Sequence, residues 1–170
     1  MNKTDYLALS LNNIQELIKF TDQKISAVLI VCGIEITIFV EISKEFSLSR
    51  LALTSLSIIC LLSAILFIIV VLAILFLCIF KVLKPRFAKH YNHKSYSMFY
   101  FEHIALNSKR KFKKAAKESN ENSQITELCD QLYEISKILH KKNIYCASAM
   151  NLLFCSIVII FIYSFLVYRL

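Results

Sequence analysis

The chain has 170 residues, 57% of them apolar, with one glycine (Gly33), one proline (Pro85) and a net charge of +8. Few turn formers beside long apolar runs point to long helices, and they exclude an all-β domain, which needs a turn signal every ~8–12 residues. A Gly-rich phosphate-cradling loop is excluded by the single glycine, and no Ser-His-Asp or paired-carboxylate spacing is present, so catalysis by this chain alone is not expected.

Residues 1–24 come first. Leu7, Leu11, Ile14, Ile18, Thr21, Ile25 and Val28 follow a 4-3-4-3 spacing, which predicts an amphipathic helix running into the first apolar segment. Asn2 or Thr4 is a suitable cap. Lys3, Lys19 and Lys24 balance Asp5, Glu16 and Asp22, so this stretch is neutral, and no cleavable signal sequence is read in it. The first span is placed at 25–42; eighteen residues at ~1.5 Å each just cross a ~30 Å hydrocarbon core. Glu35 lies inside it.

Residues 43–50 read as a short polar turn outside the membrane. Residues 51–80 then run without a charge, which predicts one long span of ~45 Å, tilted or projecting beyond the bilayer. Lys81, Lys84 and Arg86 end it, and Pro85 interrupts the helix there. An aromatic stretch (Tyr91, Tyr96, Phe99, Tyr100, Phe101) grades into a basic helix ending near Lys117. The polar run 118–123 predicts a turn, with Asn or Ser capping the next helix. There Ile125, Leu128, Leu132, Ile135 and Leu139 form an apolar seam that needs a partner helix. Nothing interrupts the pattern before the third span at 147–168, so one helix from about 124 to 168 is expected.

Segment 81–146 carries 14 Lys/Arg against 6 Asp/Glu, the whole of the net charge, whereas the 43–50 turn has only Lys44 and Arg50. The positive-inside rule puts that segment and the N-terminus in the cytoplasm. The predicted fold class is therefore all-α: a membrane protein with three transmembrane helices and a cytoplasmic helical bundle formed by 1–24 and the basic helical hairpin 81–146.

The order of these elements resembles that of the Pycsar effector transmembrane proteins of bacterial anti-phage defence. The resemblance is carried by Thr21-Asp22-Gln23-Lys24 before the first span, Lys84-Pro85-Arg86 after the second and the aromatic Met98-Phe99-Tyr100-Phe101-Glu102-His103-Ile104-Ala105. Gln131-Leu132-Tyr133 and the Ile138, Lys142, Tyr145 approach to the third span complete it. It implies a membrane effector in the bacterial inner (cell) membrane; three spans are too few to enclose a wide pore, so a conducting form is expected to be a homo-oligomer. A pyrimidine cyclase would supply a cyclic pyrimidine mononucleotide, cCMP or cUMP. The effector would then impair the membrane and kill the infected cell. Glu35 departs from the apolar, small-residue first span expected on that pattern.

The candidate site residues carry competing readings. Lys109, Arg110 and Lys113 belong to a run with six positive charges in nine residues. That run is a phosphate site, a lipid-facing patch or a solvated face. If one helix ran unbroken from residue 87, Arg110 would lie ~35 Å from the membrane, several Debye lengths, which disfavours lipid. Tyr96, Tyr100 and Tyr133 are candidates to stack a pyrimidine base, an interaction worth ~1–3 kcal/mol, against the alternative of packing on the 125–139 seam. Glu35 has three readings: a pore-lining or gating acid, a protonated group bonded to Ser55, Ser57 or Asn151, or an acid near the headgroups. A charge at mid-span costs ~2.5–3.5 kcal/mol, which is why it needs a partner or water. Asp22 and Lys24 flank the surface, with Lys142 or Glu16 as partners or as interfacial anchors. The six cysteines read as reduced thiols, and His90, His93, His103 and His140 as solvated or interfacial rather than metal-binding; no metal or other cofactor is called. Other functions left open are a non-gated membrane scaffold, a holin-like lytic protein and a membrane tether for nucleic acid.

Overall fold

The computed structural model of the chain describes residues 3–45, 55–84, 104–105 and 108–169. Most of the polar turn and of the aromatic stretch, with Tyr96 and Tyr100, lies outside the described residues. The fold is nearly all-helical: α1 (Lys3–Glu45), α2 (Ser55–Phe76) continued by a π-helical segment (Leu77–Leu83), α3 (Lys109–Glu118) and α4 (Glu121–Arg169). Three of these are long and apolar enough to cross a membrane: α1, α2 with its continuation, and α4.

The chain divides into two compact units. One takes Met1–Phe20 and Pro85–Lys141, the other Thr21–Lys84 and Lys142–Leu170. In the second unit three helices share a layered core. Ile25, Val28 and Cys32 of α1 pack with Ile74, Cys78 and Val82 and with Cys146 and Ala149 of α4. Further along, Phe67 and Val71 meet Ile160, with Phe39 packed against them; Cys60, Tyr163 and Val167 close the far end. The order of these layers makes α1 and α4 parallel and α2 antiparallel to both.

The reason is a shared period. Buried positions on α1 run Thr21, Ile25, Val28, Cys32, Glu35, and on α4 Lys142, Cys146, Ala149, Ser156, Ile160, Tyr163, Val167. Adding half-buried Leu153, the α4 list alternates four and three throughout. That is a coiled-coil seam, and its small residues (Ala149, Ser156) let backbones approach inside a membrane, where packing rather than the hydrophobic effect joins helices. On α2 the alternation reaches Ile74 and Cys78, after which an α-helix would turn Lys81 inward. The π-helical turns add a residue per turn, shown by Lys84 N–H bonding Ile79 O at 2.9 Å, and Val82 is buried in its place. Lys81 stands over the Phe76 ring, 5.6 Å from its centre.

In the first unit Leu11 and Leu128 are buried; Leu7, Ile14 and Ile18 of α1 and Ile125, Leu132, Ile135 and Leu139 of α4 are half-buried. Asn120 caps α4, its Oδ1 accepting the Ser123 N–H at 2.8 Å. The condition of one unbroken helix from residue 87 is not met at Ser108. Ser108 is extended (φ −70°, ψ 146°) and its hydroxyl accepts the Lys111 N–H at 3.4 Å, so α3 starts afresh at Lys109. A serine hydroxyl satisfies a first-turn N–H better from this cap than from a helix interior. The ~35 Å distance inferred for Arg110 therefore falls.

Candidate functional site

Polar contacts among the described residues tie α1 to α4 in the second unit, at nearly one sequence offset. Lys142 Nζ donates to both carboxylate oxygens of Asp22 at 2.6 and 2.9 Å. Beside it Thr21 Oγ1 donates to Asn143 Oδ1 at 2.9 Å. Ser156 Oγ donates to Glu35 Oε2 at 2.8 Å. At the far end Ser43 and Tyr163 hydroxyls lie 3.0 Å apart. Ser43 already donates to Phe39 O at 2.7 Å, so the Tyr163 hydroxyl is the donor between them. The Tyr163 ring lies 5.1 Å from Phe39, which stacks on Phe67 at 4.7 Å. Offsets of 120, 120, 121 and 122 residues mean that two parallel helices hold one register from end to end.

One partner of each contact, and both in the Glu35–Ser156 pair, sits where the seam period puts it. Thr21, Val28, Glu35 and Ile42 are seven apart on α1; Lys142, Ala149, Ser156 and Tyr163 are seven apart on α4. Glu35 is 4% exposed and Ser156 is fully buried. The hydrogen-bond partner that the structure gives Glu35 is Ser156, not Ser55, Ser57 or Asn151. Asn151 and Ser55 are exposed, and Ser57 lies ten residues, ~15 Å, past Phe67 on α2. Asn143, Ser156, Ser43 and Tyr163 were all missed by sequence reasoning, although extending the 3-4 seam of 125–139 through the third span points to 142, 149, 156 and 163.

Asp22 is brought to Lys142, whose side chain is only 10% exposed. Lys24 is exposed, and Glu16 pairs instead with Lys19 at 2.8 Å. On α3 the side chains of Lys109, Arg110 and Lys113 are exposed, with no hydrogen bond or ion pair among the described residues; Lys114 reaches Glu118 at 3.8 Å. Spacings of three and four put Lys113 on one helix face with the other two. Tyr133 is 58% exposed, with the Lys137 ammonium 4.2 Å from its ring centre, so one face of the ring already carries a cation. The six cysteines are free thiols, and no group of metal-ligating side chains is assembled among the described residues.

These features define a membrane protein with three spanning helices, the first and third locked in register by polar contacts. The family model for the Pycsar effector protein domain matches residues 6–169. The chain belongs to that family, and it is a membrane effector of anti-phage defence. No curated protein and no solved structure matches it.

Proposed function

We propose that the chain is the nucleotide-gated effector of a Pycsar system. It binds a cyclic pyrimidine mononucleotide, cCMP or cUMP, made by a partner pyrimidine cyclase. It then impairs the integrity of the bacterial inner membrane, so that the infected cell dies before phage are released. The observation that carries this reading is the family match over 6–169 together with three spanning helices. The basic segment 81–146 and the N-terminus face the cytoplasm, where the messenger is made, in keeping with 14 Lys/Arg in that segment.

Support for the anion-binding step comes from α3. Lys109, Arg110 and Lys113 are cations not neutralised by any carboxylate among the described residues, and a cyclic phosphate suits such a cluster. Tyr96, Tyr100 and Tyr133 supply the aromatic surface for the base. Helices α1 and α4 each contribute residues to both units, so a change of packing in the first is covalently linked to the spans. Asp22 and Lys24 stand at the start of the first span and act in that coupling. The conducting form is a homo-oligomer, because three spans are too few to enclose a wide path.

Co-expression tests this in cells. With a pyrimidine cyclase the chain is expected to collapse the membrane potential, read with a voltage-sensitive dye, and to arrest growth; with a purine cyclase it leaves both intact. Collapse without any cyclase, or none with either, contradicts the proposal.

A further inference from the structure

Among the described residues of the second unit, one buried side-chain polar atom lacks a hydrogen-bond partner: Glu35 Oε1. It sits at mid-span on the α1 seam, in a side chain 96% removed from solvent contact (4% exposed). A carboxyl group, protonated or not, needs partners for both oxygens, and a lone buried one is a persistent cost to the packing around it.

The other oxygen is held weakly for a specific reason. Ser156 has one hydroxyl proton and two acceptors at the same distance, Glu35 Oε2 at 2.8 Å and the Leu153 carbonyl of its own helix at 2.8 Å. Swinging the proton to Leu153 O leaves Ser156 satisfied and Glu35 without a donor. Neither neighbouring tie has this property in the same degree: Lys142 grips both oxygens of Asp22, and Tyr163 closes on a serine already anchored to its own helix. At Glu35 the tie between α1 and α4 therefore rests on a single shared proton, with the second carboxyl oxygen unpartnered.

We propose that Glu35 and Ser156 form the latch of the resting spans, and that its release places the Glu35 carboxylate on a water-filled path selective for cations. The proposal rests on the reading that the chain permeabilises the membrane. In an oligomer each copy contributes one such acid at the same depth, and a ring of carboxylates at a constriction passes cations and repels anions.

The test is ion flux through liposomes containing the full-length chain, with potassium and chloride measured separately before and after adding cCMP or cUMP. The wild-type chain is expected to pass potassium about tenfold over chloride once triggered, and Glu35→Gln to keep triggered flux with that ratio falling to within about twofold of unity. Ser156→Ala is expected to raise flux without nucleotide several-fold and to keep selectivity. Wild-type selectivity in Glu35→Gln overturns the path, and unchanged nucleotide-free flux in Ser156→Ala overturns the latch. A wild-type chain silent to every nucleotide refutes permeabilisation and the path with it. The latch is then judged by unfolding in detergent: it requires Ser156→Ala to lower Tm more than Ser164→Ala, whose hydroxyl bonds only Ile160 O of its own helix, and equal losses overturn it.

Discussion

Lys142 is a lysine that the fold buries almost completely at the edge of the membrane-spanning layers, and Asp22 is what makes that tolerable. Removing one partner of a buried pair costs ~3–5 kcal/mol, and the 37% exposure of Asp22 brings the expected loss for Asp22→Ala to ~1–3 kcal/mol. The exchange Asp22→Lys with Lys142→Asp should recover more than half of that loss, since the pair keeps its geometry with signs reversed. Chemical unfolding in detergent micelles gives both numbers, and a wild-type value for Asp22→Ala would mean the pair holds nothing. From the sequence, Asp22 and Lys24 faced two candidate partners, Lys142 and Glu16. The choice was not legible because it depends on which residues 120 positions apart share a level. The structure decides it through the seam: Lys142 lies on it, whereas Glu16 is exposed and satisfied by Lys19 one turn along.

At the scale of the element, the helices themselves were legible because their periods are strong. The 4-3 spacing that began at Leu7 runs on through Glu35, and the 3-4 spacing that began at Ile125 runs on through Val167. Reading both seams to their ends would have paired Glu35 with the α4 seam. It was hidden because the apolar spans mask any period: a lipid-facing isoleucine and a core isoleucine look alike in sequence. The π-helical end of the second span was not legible for a related reason. Its function is to turn Lys81 aside and Val82 inward, a one-residue shift that an unbroken apolar run does not announce. The break before α3 had a visible sign in Ser108, a capping residue followed by an uninterrupted helix-forming run. For α3, the triple variant Lys109→Gln, Arg110→Gln, Lys113→Gln should weaken cyclic-nucleotide binding at least ~10-fold, as expected when several charge-assisted contacts are lost. Its Tm should stay at the wild-type value, because these side chains are exposed and unbonded among the described residues. Calorimetric titration checks the first and thermal unfolding the second; unchanged affinity would place the phosphate elsewhere.

For the whole molecule, composition and charge were enough to give the class of fold, since thirty uncharged residues in a row leave little besides a membrane span. The family match then gives its role in defence. The proposed trigger is chemistry between a small anion and the first unit, and the sequence spreads the candidate side chains over 81–146 without a motif that joins them. A messenger moves the spans only to the extent that it binds the open state more tightly, and ~4 kcal/mol of difference shifts the balance about a thousandfold. The most direct measurement is dye and ion leakage from liposomes containing the purified chain, titrated separately with cCMP, cUMP, cAMP and cGMP. Leakage triggered by one cyclic pyrimidine, with the purines silent, is the predicted result. Leakage that is the same without nucleotide, or none with any of the four from folded protein, would contradict it.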